Sequence, residues 1–144
     1  MKKIILIFSL VFSLMSCSND DSKSSEVKFS TVVQGDHNGS GTIAASKLVI
    51  KDAAAWIELR NKIQYLSAYY NEAEIDFTKE QLIVAIDKVQ TTGGYSIDIT
   101  KITENKNNIR VTIEQLKTGG DNTVISQPYH VVRMPKSGKE VVFK

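Results

Sequence analysis

A single cysteine, Cys17, divides this 144-residue chain into a part that can join a fold and a part that cannot. Met1-Lys2-Lys3 precede an apolar stretch from Ile4 to Met15, and Ser16 follows. A basic start, a short apolar region and a small residue before the cut form a secretory leader, removed from the mature protein. A transmembrane helix needs about 20 apolar residues, more than this stretch supplies. A buried core helix would not run on into Ser18-Asn19-Asp20-Asp21-Ser22-Lys23-Ser24-Ser25. With one cysteine no intramolecular disulfide can form, so a domain beyond residue 16 must be held by its core alone.

Leu14-Met15-Ser16-Cys17 resembles a bacterial lipobox. The resemblance implies cleavage before Cys17, with lipid on its sulfur and on the new amino group, and so membrane lipid as a partner. Ser18 at the second mature position resembles outer-membrane rather than inner-membrane sorting, and Ser18-Asn19-Asp20-Asp21 is similar to signals that carry lipoproteins to the cell surface in Bacteroidota. The expected location is the outer membrane, lipid-anchored.

Loss of residues 1–16 removes Lys2 and Lys3, leaving 16 basic against 16 acidic side chains. Residues 17–100 carry 8 basic and 12 acidic groups, and residues 101–144 carry 8 and 4. Strands pairing across the two halves would mix these charges, and nothing is basic enough for nucleic acid.

Residues 17–26 are polar, Ser-rich and without hydrophobic period, and predict a disordered tether. A folded domain over 27–144 follows. Val27, Phe29, Thr31 and Val33 alternate with polar neighbours as in a half-buried strand. Gly35-Asp36-His37-Asn38-Gly39-Ser40-Gly41 is a loop, and Thr42–Ile50 a second extended segment. Asp52 is placed to cap a helix in which Trp56, Leu59, Ile63 and Leu66 share one face. Thr78-Lys79-Glu80-Gln81 has capping-box form and predicts a helical turn before a strand. Leu82–Val89 is nearly continuous in apolar residues, as a central strand would be. Tyr95–Ile102 and Ile109–Leu116 alternate about a polar link and predict a hairpin. Tyr129–Met134 is a strand bounded by Pro128 and Pro135, and Val141-Val142-Phe143 an edge strand. The expected class is α+β: one mainly antiparallel, curled sheet of about seven strands with one covering helix.

The residues declare no chemistry. Two histidines, His37 and His130, are too few for a His-rich metal cluster. His37 reads as a solvated loop residue, and His130, in a strand, as packing or bonding a backbone carbonyl. Ser40 lacks the nucleophile-elbow context, and Cys17 is consumed as the anchor. Glu72, Glu74 and Asp76 read as a solvated acidic loop rather than a glycosidase pair. Gly93-Gly94 lacks the Lys-Ser/Thr and the following helix of a phosphate loop, and reads as a turn needing positive φ. The expectation is a protein without catalytic activity, metal or cofactor.

Taken in order, Ser40-Gly41, the helix with Trp56, Ile75-Asp76-Phe77-Thr78, Thr92-Gly93-Gly94-Tyr95-Ser96-Ile97 and Pro128-Tyr129-His130-Val131-Val132-Arg133-Met134-Pro135 resemble the PrcB-like C-terminal domain, over about residues 36–136. The resemblance implies a lipoprotein that assists or stabilises a secreted protease. Family members often carry a Gly shortly before the Gly-Gly-Tyr turn, where this chain has Asp87-Lys88-Val89-Gln90. Gly93, Gly94, Tyr95, Tyr129 and His130 are the candidate shaping or partner-binding residues. Two other readings stay open: a surface lipoprotein binding a glycan or small ligand in a groove of Tyr65, Tyr69 and Tyr70, and a protease inhibitor using loops 35–41 and 118–127 at one end of the sheet.

Overall fold

The computed structural model describes residues 23–37, 43–63 and 75–144. Within them the chain runs β1 (Ser25–Glu26), β2 (Ser30–Asp36), β3 (Ser46–Ile50), α1 (Ala53–Lys62), β4 (Glu80–Ile86), β5 (Asp98–Glu104), β6 (Asn108–Glu114), β7 (Pro128–Pro135) and β8 (Glu140–Phe143). The strands form two four-stranded sheets, ordered β2-β7-β4-β3 and β1-β5-β6-β8. All pairings are antiparallel except β6 with β8, which is parallel. The class is as expected, mostly β and antiparallel with one helix, but two sheets replace the single curled one.

The division follows from β4 and β7, which are apolar on both faces. Leu82, Val84, Ile86, Tyr129 and Val131 pack with Trp56, Leu59 and Ile63 of α1. Ile83, Ala85, Val132 and Met134 pack on the other side with Ile99, Ile102, Ile109 and Val111 of the second sheet. A strand with both faces apolar needs cover on both, here a helix on one side and a sheet on the other. Among the described residues the chain crosses between sheets four times: at Val27–Phe29, between β4 and β5, between β6 and β7, and after Pro135. The first and last crossings lie at one end of the sandwich, because Ser25 pairs with Glu104, Ser30 with Arg133 and Glu140 with Asn108. Pairing starts at Ser25, two residues inside the stretch expected to be tether.

Helix α1 begins as its sequence demands. The Asp52 carboxylate accepts a hydrogen bond from the Ala55 N–H at 2.9 Å, the N-cap geometry. Leu66, expected on the same face as Trp56, lies outside the described residues. The turn before β4 is organised by Asp76 rather than by a Thr78 box: its carbonyl accepts from Lys79 and Glu80, and its carboxylate from the Thr78 N–H.

The β5–β6 hairpin is present with one correction. Strict alternation would place Ile102 opposite Ile99, yet both are buried in one core. The register slips between Ile99 and Lys101, and this bulge returns Ile102 to the inner face.

Candidate functional site

At the opposite end of the sandwich the two middle crossings, β4–β5 and β6–β7, close on each other. Gln90 and Ser126 exchange backbone hydrogen bonds of 2.8 and 3.2 Å, and Tyr95 bridges to Thr118. Gly93 N–H donates to Asn122 Oδ1 at 2.7 Å, and Gly120 N–H to the Gly93 carbonyl at 2.9 Å. Gly94 holds φ +86° and Gly119 φ +98°. A methyl group on Gly119 would stand 2.6 Å from the Tyr95 ring, so the glycine is what lets that ring lie down. The 93–94 turn therefore does need positive φ, and its partner is a second glycine pair.

Tyr95 and Tyr129 meet in a cleft of about 240 Å³ lined also by Gln34, Gly35, Asp36, Ser96, Asp98, Lys117 and Pro128. Tyr129 is buried and Tyr95 half-buried, so one serves the core and the cleft while the other stands in the cleft wall. Tyr129 passes over Gly35, its register partner on β2, where a Cβ would meet the phenol oxygen at 3.1 Å. Burial pushes the Tyr129 hydroxyl pKa up, and the charge of Asp36 adds to it. Burial likewise pushes Asp36 up, against the pull of Lys117. Asp98 behaves oppositely. Burial alone would raise it, but hydrogen bonds from the Ser96 hydroxyl, the Leu116 N–H and the Gln34 amide outweigh burial and hold it below the usual carboxylate range.

His130 is buried between the sheets and does not face the cleft mouth. Its Nδ1 accepts from the Ile99 N–H at 3.0 Å. A backbone N–H can only donate, so Nε2 carries the imidazole hydrogen and donates to Thr31 Oγ1 at 2.9 Å. Beside it, Gln34 Nε2 donates to the Ile97 carbonyl at 3.2 Å. Strand β1 pairs only with Thr103 and Glu104 of β5, so the outward backbone groups of Ile97 and Ile99 have no strand beside them. Two side chains from the other sheet occupy that place and blunt the edge. The expected bond from His130 to a carbonyl is replaced by one from an amide. With this tautomer His130 cannot accept a proton from Thr31, so the pair lacks the general-base arrangement of a hydrolase.

One organising residue gave no signal in the sequence. Gln127, 2 % exposed, accepts from the Ile43 N–H at 3.1 Å and donates to the carbonyls of Ile43 and Asp87 at 2.6 and 2.8 Å. Its own carbonyl accepts from the His37 N–H. It ties both flanks of the 35–41 loop to the end of the 118–127 loop and to the segment after β4. That segment, Asp87-Lys88-Val89-Gln90, is braced by Gln90 Nε2 donating to Asp87 Oδ2 at 2.8 Å.

His37 is buried, not solvated as expected, because its backbone is drawn against Gln127. Among the described residues no three His, Cys, Asp or Glu side chains gather to hold a metal. Cys17, Ser40, Tyr65, Tyr69, Tyr70, Glu72 and Glu74 lie outside the described residues.

Residues 82–135 match the family model described as PrcB C-terminal. The match bears out the resemblance over β4 to β7, including the Gly93-Gly94-Tyr95 turn and Pro128-Tyr129-His130. No curated protein and no solved structure matches the chain.

Proposed function

We propose that this protein is a lipid-anchored, non-catalytic binding domain of the outer membrane that docks a secreted or surface protein, a protease being the partner the PrcB match favours. One observation carries the reading: the matched region brings Tyr95 and Tyr129, far apart in sequence, into one cleft. The rim supports a protein partner. Leu116, next in the chain to Lys117 of the cleft wall, is 66 % exposed, and Val124 and Ile125, further along the same connection, are 54 and 64 % exposed. Exposed aliphatic side chains in the connection that also supplies a polar cleft wall have the composition of a protein interface. Gly93, Gly94 and His130 shape this end; Tyr95 and the Tyr129 hydroxyl are the groups that would touch the partner.

The test is a photo-cross-linker at position 117, with one at position 110 as control, in the native envelope. A secreted protease captured from position 117 only, and destabilised when the protein is deleted, is the expected result. No capture, with the protease complement unchanged, would reject the accessory role.

An inhibitor reading also has specific support. His37 and Ile43, on either side of residues 38–42, both bond to Gln127 at the end of the 118–127 loop, so these described flanks meet at one end of the sandwich. Inhibition of the captured protease by the purified protein would favour it over stabilisation.

A further inference from the structure

Tyr129 is 7 % exposed, yet its hydroxyl lies over Gly35, which also lines the cleft, and among the described residues nothing hydrogen-bonds to it. A phenol buried this deeply ordinarily has a hydrogen-bond partner. Asp36, beside it, is in the same position: no described group donates to its carboxylate, and Lys117 draws on it without forming an ion pair. The neighbouring donors are already engaged. Gln34 Nε2 donates to the Ile97 carbonyl and to Asp98 Oδ1, and the Ser96 hydroxyl to Asp98 Oδ2. Pro128 has no N–H to give. Acceptors remain: the Asp36 carboxylate, the Tyr129 oxygen, and Asp98 Oδ1, which takes one hydrogen bond where Oδ2 takes two. Among the described side chains of the cleft, Lys117 Nζ and the two tyrosine hydroxyls are the donors left.

Two carboxylates thus stand against one ammonium, and the cleft is short both of hydrogen-bond donors and of positive charge. A cationic side chain supplies both. Guanidinium suits the site: it is planar, carries five N–H donors in a fixed fork, and stacks on aromatic walls such as Tyr95. The cleft holds about 240 Å³, less than the roughly 300–1,000 Å³ of sites that take whole small molecules, so one side chain presented by a larger partner is the occupant that fits. An acidic side chain would meet Asp36 and Asp98 with only Lys117 in its favour.

We infer that the cleft between Tyr95 and Tyr129 receives an arginine side chain of the docked partner, its guanidinium donating to the Asp36 and Asp98 carboxylates and to the Tyr129 oxygen. The inference rests on the docking role proposed above for what brings the arginine, and on the structure for what the cleft accepts. Lys117 then has an effect of definite sign. It competes with the incoming cation, so its removal tightens binding, the reverse of what a lysine does in an interface built for an acidic partner. The hydroxyl of Tyr129 has a sign of its own: with no partner in the free chain, it supports binding without supporting the fold.

The probe is N-acetyl-arginine methylamide, titrated into the isotope-labelled full chain in detergent and followed by amide NMR. N-acetyl-citrulline methylamide is its neutral isostere, and N-acetyl-glutamate methylamide the acidic control. Saturable shifts at Gly35, Asp36 and Ser96 are expected with arginine, and about tenfold weaker binding of citrulline. Tyr129→Phe and Asp36→Asn should each weaken the arginine probe about fivefold or more, and Lys117→Gln should tighten it. Tyr129→Phe should leave the thermal midpoint unchanged or raised. Citrulline bound as tightly as arginine, glutamate bound more tightly, weaker arginine binding in Lys117→Gln, a less stable Tyr129→Phe chain, or no saturable shift at the cleft would overturn the inference. The cross-link at position 117 scores the docking role separately. A captured protease without arginine binding leaves docking standing and rejects the arginine. Arginine binding without a captured protein upholds the cleft chemistry and rejects the accessory role.

Discussion

The imidazole Nδ1 of His130, on β7 of one sheet, accepts a hydrogen bond at 3.0 Å from the backbone N–H of Ile99, on β5 of the other. The bond joins the sheets where β5 has no neighbouring strand, and it is available only to a neutral imidazole. Burial lowers the His130 pKa from its ordinary 6.5, partly opposed by the charge of Asp98.

Stability should therefore depend on pH in a definite sense. Above pH 6.5 the ring is neutral in folded and unfolded chains and stability is flat. As pH falls below 6.5 the unfolded chain binds the proton first, so stability declines until the depressed folded value is passed, then levels. Urea midpoints from pH 8 to pH 5 should show this decline, and His130→Gln should reduce it. A slope unchanged in the variant would assign it to another group.

Gly119→Ala forces a side chain into positive φ and against the Tyr95 ring. A loss of about 1–3 kcal/mol is expected from the backbone alone. Gly138→Ala, with nothing within 4 Å of the added carbon, should stay within about 0.5 kcal/mol. Thermal unfolding of the two variants makes the comparison. Equal shifts would mean that the 119–120 loop tolerates rearrangement.

Gln127→Ala leaves the Ile43 N–H and the carbonyls of Ile43 and Asp87 without their partner. A cost of about 2 kcal/mol or more follows, since each buried group left unsatisfied costs about 1–3 kcal/mol. Amide exchange should accelerate at Ile43 and His37 more than at Ile102, in the inter-sheet core. Uniform acceleration would instead indicate global loosening.

Asp52→Ala removes the cap on α1 and should cost about 1 kcal/mol. Asp52→Asn should retain most of it. The check is a denaturant midpoint at unchanged slope.

Much of this architecture was legible because it is local. Asp52 with Trp56, Leu59 and Ile63 announces a helix, and the Leu82–Ile86 run announces a central strand. That run also carried the two-sheet answer, since a strand apolar on both faces requires cover on both. The bulge at β5 left one trace in the sequence, the apolar phase shifting from Ile99 to Ile102 across Thr100-Lys101, which strict alternation passes over. The Gly93-Gly94-Tyr95 and Pro128-Tyr129-His130 segments were recognised, but not that they meet, because 34 residues separate Tyr95 from Tyr129 and only the sandwich brings them together. Gln127 and Gln34 could not be found from the chain. An amide gains its importance from three-dimensional neighbours, and neither lies in a patterned motif.

Among the described residues strand β2 takes its one strand partner, β7, from the far end of the chain, with Ser30 opposite Arg133 and Asp36 opposite Pro128. β7 is also the strand that joins β2 to β4. A growing chain that ends before Pro128 can form the β3–β4 and β5–β6 pairs but lacks the strand that, among the described residues, joins β2 to its sheet. Closing a loop of this length comes late and slowly. The order of strands thus acts as a timer: the polypeptide stays open until almost its last residues are made.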